Sequence, residues 1–428
     1  MTLSPPQLFR FLLAPLAVFA AVFAVLVAAN GGEAPSLGVS ADPGAPTGDA
    51  VADFQRAVRA APDNAGAYAG LGSAYLARAR ETGDPGYYSR AERAFDAALR
   101  RDPRDLGALI GSGTLAGLRH DFRGQLVLGR GAAAVAPQLA RPLTVIADAQ
   151  IELGRYGAAE RSIQRLVDTK PGLAAYSRAS YYRELSGDTA GAIEAMRLAA
   201  SAGGAPENVA YVQALLGDLE LQRGHVGAAR LTYTGALRAL PGYPAGMVGL
   251  ARADAAGGDL GRAAARLRRA AERLPLTATL GLLAQVERAL GRPAAAAAAL
   301  DTARAQQRLY RAAATAPDAE AVLFEADHGS PAAAVALGRR VWRAAPSVRS
   351  ADALGWALTR AGRPAAGYAF ARRAVALGSR DASFRLHAGI AAKQAGLNGP
   401  VALHLAIAFA ARAALAPEAR ELLEEARR

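Results

Sequence analysis

Residues 143–171 read LTVIADAQIELGRYGAAERSIQRLVDTKP, and this stretch decides the fold. Apolar or small side chains fall at Leu143, Ala147, Ala159, Ile163 and Leu166, Gly154 stands between the two groups, and Pro171 closes the stretch. Intervals of four and three residues trace one face of a helix. Glycine marks the turn, and proline ends the second helix because its ring and missing N–H cannot continue one. The stretch therefore predicts two helices folded back on each other. Pro103, Pro137 and Pro171 are 34 residues apart, and Pro241 and Pro275 repeat the interval.

A period of this length is the first thing to settle, because each such unit can bury its apolar face only against a neighbour. The same small-residue and bulky-residue pattern recurs around the quoted stretch. Ala50, Phe54, Ala57 and Pro62 form a lone second helix, then Tyr68, Leu71, Gly72 and Tyr75 pair with Ala91, Phe95, Ala98 and Pro103. Gly217, Ala229, Tyr233 and Ala236 follow, then Ala251, Ala263, Leu267 and Ala270, and the register returns at Gly355, Gly362, Gly367 and Ala374. This pattern resembles the tetratricopeptide repeat, in which small residues let two helices approach and a large one fills the space between hairpins. The resemblance covers residues 50–428 with about ten hairpins and implies an all-α, right-handed superhelical solenoid.

Some positions depart from the pattern. About seven extra residues around Thr82–Gly86 predict a longer loop or longer helices in that hairpin. Gly129 stands where a bulky residue is wanted, which predicts a looser hairpin. The pattern blurs between Ala294 and Ala314 into one long Ala/Arg helix, so a break near 305–320 divides the expected array into 50–305 and 306–428. The polar segment Glu418–Arg428 suits a solubilising capping helix.

Composition agrees with helices: 52% of residues are hydrophobic but only 6% aromatic, and Ala, Leu, Arg and Gly dominate. The net charge is +13, carried almost wholly by arginine, with Lys170 and Lys393 the only lysines. The charge is spread along the chain without a dense basic block, so no nucleic-acid partner is expected. With no cysteine, thiolate metal sites, disulfides, cysteine nucleophiles and a lipid-modified cysteine are all excluded.

Phe11–Ala29 is a 19-residue uncharged stretch interrupted only by Pro15, close to the roughly 20 residues that span a bilayer as a helix. Arg10 precedes it and Glu33, Asp42, Asp49 and Asp53 follow, which predicts a cytoplasmic N-terminus with the remainder outside. Residues 1–29 thus read as a membrane anchor, or as a signal peptide cut near Val27-Ala28-Ala29, in which case the protein is secreted. Burial of this stretch within an intracellular protein is the third reading. Residues 30–49 are rich in Gly, Pro and Ala and read as a flexible linker. The expected location is a bacterial cell membrane, with the repeats extracytoplasmic.

Catalytic motifs are missing. His120, His225 and His328 fall at expected hairpin turns, while His387 and His404 lie on late helices where they could approach each other without a nearby carboxylate. Gly111-Ser112-Gly113 occupies packing positions of a first helix and is followed by no Lys-Ser/Thr. The sequence predicts no enzyme, no cofactor, no metal and no small-molecule substrate.

The tetratricopeptide resemblance implies that first helices line a concave groove. Carried over position by position, it assigns the groove Asp148, Glu152, Tyr181, Glu184, Tyr211, Asp218, Gln222, Arg252 and Arg288. Carboxylates and tyrosines give way to arginines along this row, a set suited to a protein or peptide ligand. The function expected is a membrane-tethered scaffold organising an envelope complex. An accessory subunit recruiting an enzyme or transport complex, and an intracellular repeat regulator, are the alternatives.

Overall fold

A computed structural model describes residues 50–428; the expected anchor and linker lie outside these residues. Among the described residues every regular element is helical, in consecutive antiparallel hairpins. Helices Gly86–Arg101, Phe122–Val135, Tyr156–Thr169, Val226–Ala239 and Leu260–Arg273 each stop two residues before the prolines that set the period. Several helix starts are fixed locally as well. The side chains of Asn64, Asp105, Asp121, Asp188, Asp259 and Ser330 accept hydrogen bonds from the otherwise orphaned N–H groups of the first turn. At the inner turns the chain reverses through left-handed backbone, as at Gly258 (φ 87°) and Gly291 (φ 71°), where a side chain would be strained.

The described residues form two compact units. One comprises 50–178 with 309–316; the other comprises 179–308 with 317–428.

In the first unit the aromatic rings sit on glycines. The Phe95 ring lies where Cβ atoms on Gly72 and Gly111 would come within 2.5 and 2.3 Å of it. One ring therefore fixes both the spacing within its hairpin and the spacing to the next. The extra residues at 82–86 lengthen the helices rather than the loop, giving Ala65–Thr82 and Gly86–Arg101 with only Gly83–Pro85 between them. Gly129 lets the following hairpin come close. A Cβ there would stand 3.0 Å from Ile146, so the missing side chain is filled by the next first helix, Arg141–Glu152, moving in. The 309–316 segment joins this unit through Tyr310, edge-on to Tyr88 at 6.4 Å, and through Ala316, whose N–H donates to the Arg119 carbonyl.

In the second unit Tyr233 plays the part of Phe95, with Cβ positions of Gly217 and Gly249 at 2.5 and 2.2 Å from its ring. The long Ala/Arg helix runs over Pro293–Ala312, and the chain turns after it at Ala314, which has φ 58°. Further along, Trp356, Leu354, Leu386 and Leu423 belong to one buried cluster. Trp356 stacks on His387 (4.4 Å between centroids) and donates its indole N–H to Asp327. The C-terminal helix Pro417–Arg427 is not polar on every face: Pro417, Glu418, Ala419 and Leu423 are buried. Its outward acids solvate it, while its other side is part of the core. No helix among the described residues is long and apolar enough to cross a membrane.

The ring-on-glycine packing gives opposite expectations for two similar substitutions. Gly249→Ala drives a methyl into Tyr233 and should destabilise, because overpacking costs about 1–3 kcal/mol against about 1 kcal/mol gained in helix propensity. Gly281→Ala, whose Cβ meets nothing within 4 Å, should raise stability by up to about 1 kcal/mol. Thermal or urea melts followed by circular dichroism separate the two.

Candidate interaction groove

The nine residues expected to line a groove divide between the units. Asp148 and Glu152 belong to the first, on helix Arg141–Glu152. Asp148 is only 7% exposed and receives a two-pronged hydrogen bond from Arg178, Nε at 2.8 Å and Nη2 at 2.7 Å. Arg178, itself 1% exposed, also donates Nη1 to the Ala174 carbonyl. Burial pushes the Asp148 carboxyl up to about 6, with the Arg178 charge and hydrogen bonds pulling the other way. Asp148 therefore locks one first helix to the next, and Glu152 lies half-buried one turn further on.

The other seven lie in the second unit. Tyr181 and Glu184 sit on the helix ending at Leu185, Tyr211, Asp218 and Gln222 on Pro206–Gln222, Arg252 on Pro244–Ala256, and Arg288 on Thr277–Ala289. Both tyrosines are buried. Gln222 donates Nε2 to Glu184 at 2.6 Å. Asp218 accepts from the Tyr233 hydroxyl at 2.7 Å and from Arg252 Nη1 at 2.5 Å. Burial pushes the Glu184 carboxyl up to about 7, with the Asp381 and Asp218 charges adding to it and the Gln222 hydrogen bond opposing it. Burial works against the Arg252 charge, but Asp218, Tyr233, Asp381 and Glu184 outweigh it and raise its pKa.

Glu184, Asp218 and Arg252 are spaced 34 residues apart in sequence, and the fold sets them side by side on consecutive first helices. One turn of the repeat carries a residue onto its equivalent position. The described chain is an array of tetratricopeptide-type hairpins.

What sequence reading missed is the neighbour of this row. The chain's own C-terminal segment lies against it. Arg252 Nη2 donates to the Ala414 carbonyl at 3.3 Å. Arg288 forks onto Glu418, Nε to Oε1 at 2.6 Å and Nη2 to Oε2 at 3.1 Å. From the other direction Arg420 donates to the Ala255 carbonyl at 2.8 Å. Ala414 packs with Leu221, Tyr233 and Leu250, and Ala416 joins the cluster of Leu267, Ala284 and Val286. Glu418 is 4% exposed, so its ion pair is nearly dry. No short-range pattern could have exposed a partner 130 residues away; an acid directly after a proline at a helix start was the only trace.

Two histidines of the second unit are held in polar contacts. His387 bonds Asp352 through Nδ1 at 3.0 Å, and His404 Nδ1 stands 3.3 Å from Arg385 Nη1. Among the described residues no group of three His, Asp or Glu side chains could hold a metal ion.

No family model matches the chain, and no curated protein matches it. Solved structures that resemble it include a human IFIT1 dimer with m7Gppp-AAAA, 13% identical over 85% of this chain and 76% of that one, with a TM-score of 0.45. A tetratricopeptide repeat protein from Parabacteroides merdae is 16% identical over 56% of this chain and 97% of its own, with a TM-score of 0.41. The APC/C hetero-tetramer Cut9-Hcn1 is 16% identical over 88% and 81%, at 0.39.

Two predictions follow from these carboxylates. Arg178→Ala leaves Asp148 buried without its partner and should cost about 3–5 kcal/mol, whereas Asp148→Leu with Arg178→Met should fall close to the wild type; denaturant melts measure both. Glu184, Asp148 and Asp381 have folded pKa values raised to about 7, 6 and 6, all above their unfolded values. The folded state thus holds protons that the unfolded chain has released, so this contribution to stability is full below about pH 4 and fades as pH rises through 6 to 7. Urea midpoints should drop between about pH 4 and 7, and Glu184→Gln should flatten that slope.

Proposed function

We propose that the protein is a non-catalytic interaction scaffold whose first-helix row Glu184–Arg288 binds a segment of a protein partner. The observation that carries this reading is the way the row treats the one segment already against it. Arg252 takes a main-chain carbonyl, Arg288 takes a carboxylate with both prongs, and small side chains at 414 and 416 fit between the first helices. These are the contacts of peptide recognition: main-chain groups for affinity, a charged fork for register, and shallow pockets for small side chains. The partner segment that suits the row is small-residue-rich with one acid. It competes with residues 411–420 for the same arginines.

The proposal extends to location. The uncharged Phe11–Ala29 stretch and the acids after it support a tether with the repeats outside the cytoplasm, where they would organise envelope proteins. Protease digestion of intact cells against lysed cells checks this; an array protected until lysis would count against it.

Binding is tested with a fluorescent peptide of the chain's own residues 411–428. Glu418→Ala loosens the resident segment, so this full-length variant should bind the peptide at least about tenfold more tightly than the wild type. Adding Arg288→Gln, whose only carboxylate partner Glu418 is already gone in that variant, should abolish the gain with helical content unchanged. Equal binding by all three proteins, or none by any, rules out peptide recognition at this row.

A further inference from the structure

The last two hairpins carry a surface unlike the rest of the chain. Their second helices, Pro364–Ala374 and Asn398–Ala410, occupy equivalent repeat positions 34 residues apart. Asn398–Ala410 reads NGPVALHLAIAFA and holds no charged residue. It is not fully covered: Leu403 is 58% exposed, Leu397 at its start is 40% exposed, and Ala402, Ala406 and Ala410 are exposed too. On the neighbouring helix Ala365, Ala369, Arg372 and Arg373 face solvent. An open concavity of about 690 Å³ runs between the two helices, lined by Ala365, Tyr368 and Arg372 on one side and Leu397, Asn398 and Pro400 on the other.

The exposed charges of these two hairpins are cationic, and the next exposed acids are Glu421, Glu424 and Glu425 of the C-terminal helix. Between Asp352 and Glu418 the sequence contains a single acid, Asp381. Asp381 is 7% exposed and spent on the N–H groups of Ser383 and Phe384. Over the same span Arg363, Arg372, Arg373, Arg380, Lys393 and Arg412 are exposed. Arg373 lies over the Phe370 ring and Arg412 over the Phe409 ring, so these cations rest on apolar surface with their charge at its border.

We propose that this face docks on an anionic lipid surface. Exposed leucines on a helix without charge, flanked by exposed arginines, are what a bilayer interface selects: side chains enter the acyl boundary while guanidinium groups meet phosphates. A nucleic acid would use the arginines but gain nothing from Leu397 and Leu403, and the described face offers no exposed aromatic row for stacking bases. An acidic protein would need a matching apolar surface, whereas a bilayer needs none. The inference does not depend on the groove, which uses other helices, nor on the fate of Phe11–Ala29.

The sequence has no cysteine, so a single introduced thiol reports on one place. Full-length protein carrying Leu403→Cys with an environment-sensitive dye is mixed with vesicles of phosphatidylcholine alone or with phosphatidylglycerol added. A parallel label at Leu231→Cys, a site 71% exposed on Val226–Ala239, is the control. A membrane-inserting N-terminal stretch would bring the protein to both vesicles, but the dye responds only where it sits. The expected result is a blue shift at 403, with quenching by headgroup-region spin labels, on the anionic vesicles. The shift should fall by about threefold or more on phosphatidylcholine, with Arg372→Glu and Arg373→Glu, or in high salt. The label at 231 should stay unchanged. Three results overturn the proposal: no shift at 403 on anionic vesicles, equal shifts at 403 and 231, or a shift produced by lipid-free polyuridylate. Leu397→Cys repeats the measurement should the 403 variant fold poorly.

Discussion

Everything in this array depends on how closely two helices can approach. A ring laid across glycines of its own and the following hairpin, as Phe95 is on Gly72 and Gly111 and Tyr233 on Gly217 and Gly249, fixes two spacings with one side chain. Once those spacings are set, the repeat length carries each first-helix residue to the side of its equivalent. The row Glu184, Asp218, Arg252 follows from that. Polar groups that would repel or bind water on an isolated helix become mutual partners: a carboxylate between a tyrosine hydroxyl and a guanidinium, an amide on a half-buried glutamate. Electrostatics in this protein is a product of packing.

The helical hairpins were legible because their signals are local. Proline stops, Asp and Asn caps, and small residues at fixed offsets lie within a few residues of what they determine. Gly129 shows what local reading leaves out: a missing bulky residue is a vacancy in sequence, but in space the next hairpin's Ile146 lies against it. The polar character of Glu418–Arg428 left out its buried side. A composition with many acids reads as solvated, yet Glu418 is buried against Arg288 and only the outward acids meet water. For the groove, the family pattern named first-helix positions, and the fold joins Glu184 to Gln222 and Asp218 to Arg252. It could not say that Asp148 would be taken up by Arg178, because that pairing spans hairpins through side-chain reach rather than through period.

The two proposed surfaces divide labour between faces of the second unit. First helices offer polar side chains held at fixed spacing, suited to a chain of defined register. The second helices at 364–374 and 398–410 offer alanine, leucine and arginine, suited to a fluid partner without register. The chemistry of each face matches the order of what it would meet.

Residues 411–420 reach Ala255, Arg252 and Arg288 across 165, 162 and 130 residues of chain. A repeat array ordinarily settles from nearest neighbours outward, each hairpin secure as soon as the next is made. Here residues 411–420 fasten helices that lie more than a hundred residues earlier in the chain. Damage to this one segment would therefore be felt around Arg252 and Arg288 as well as where it occurs.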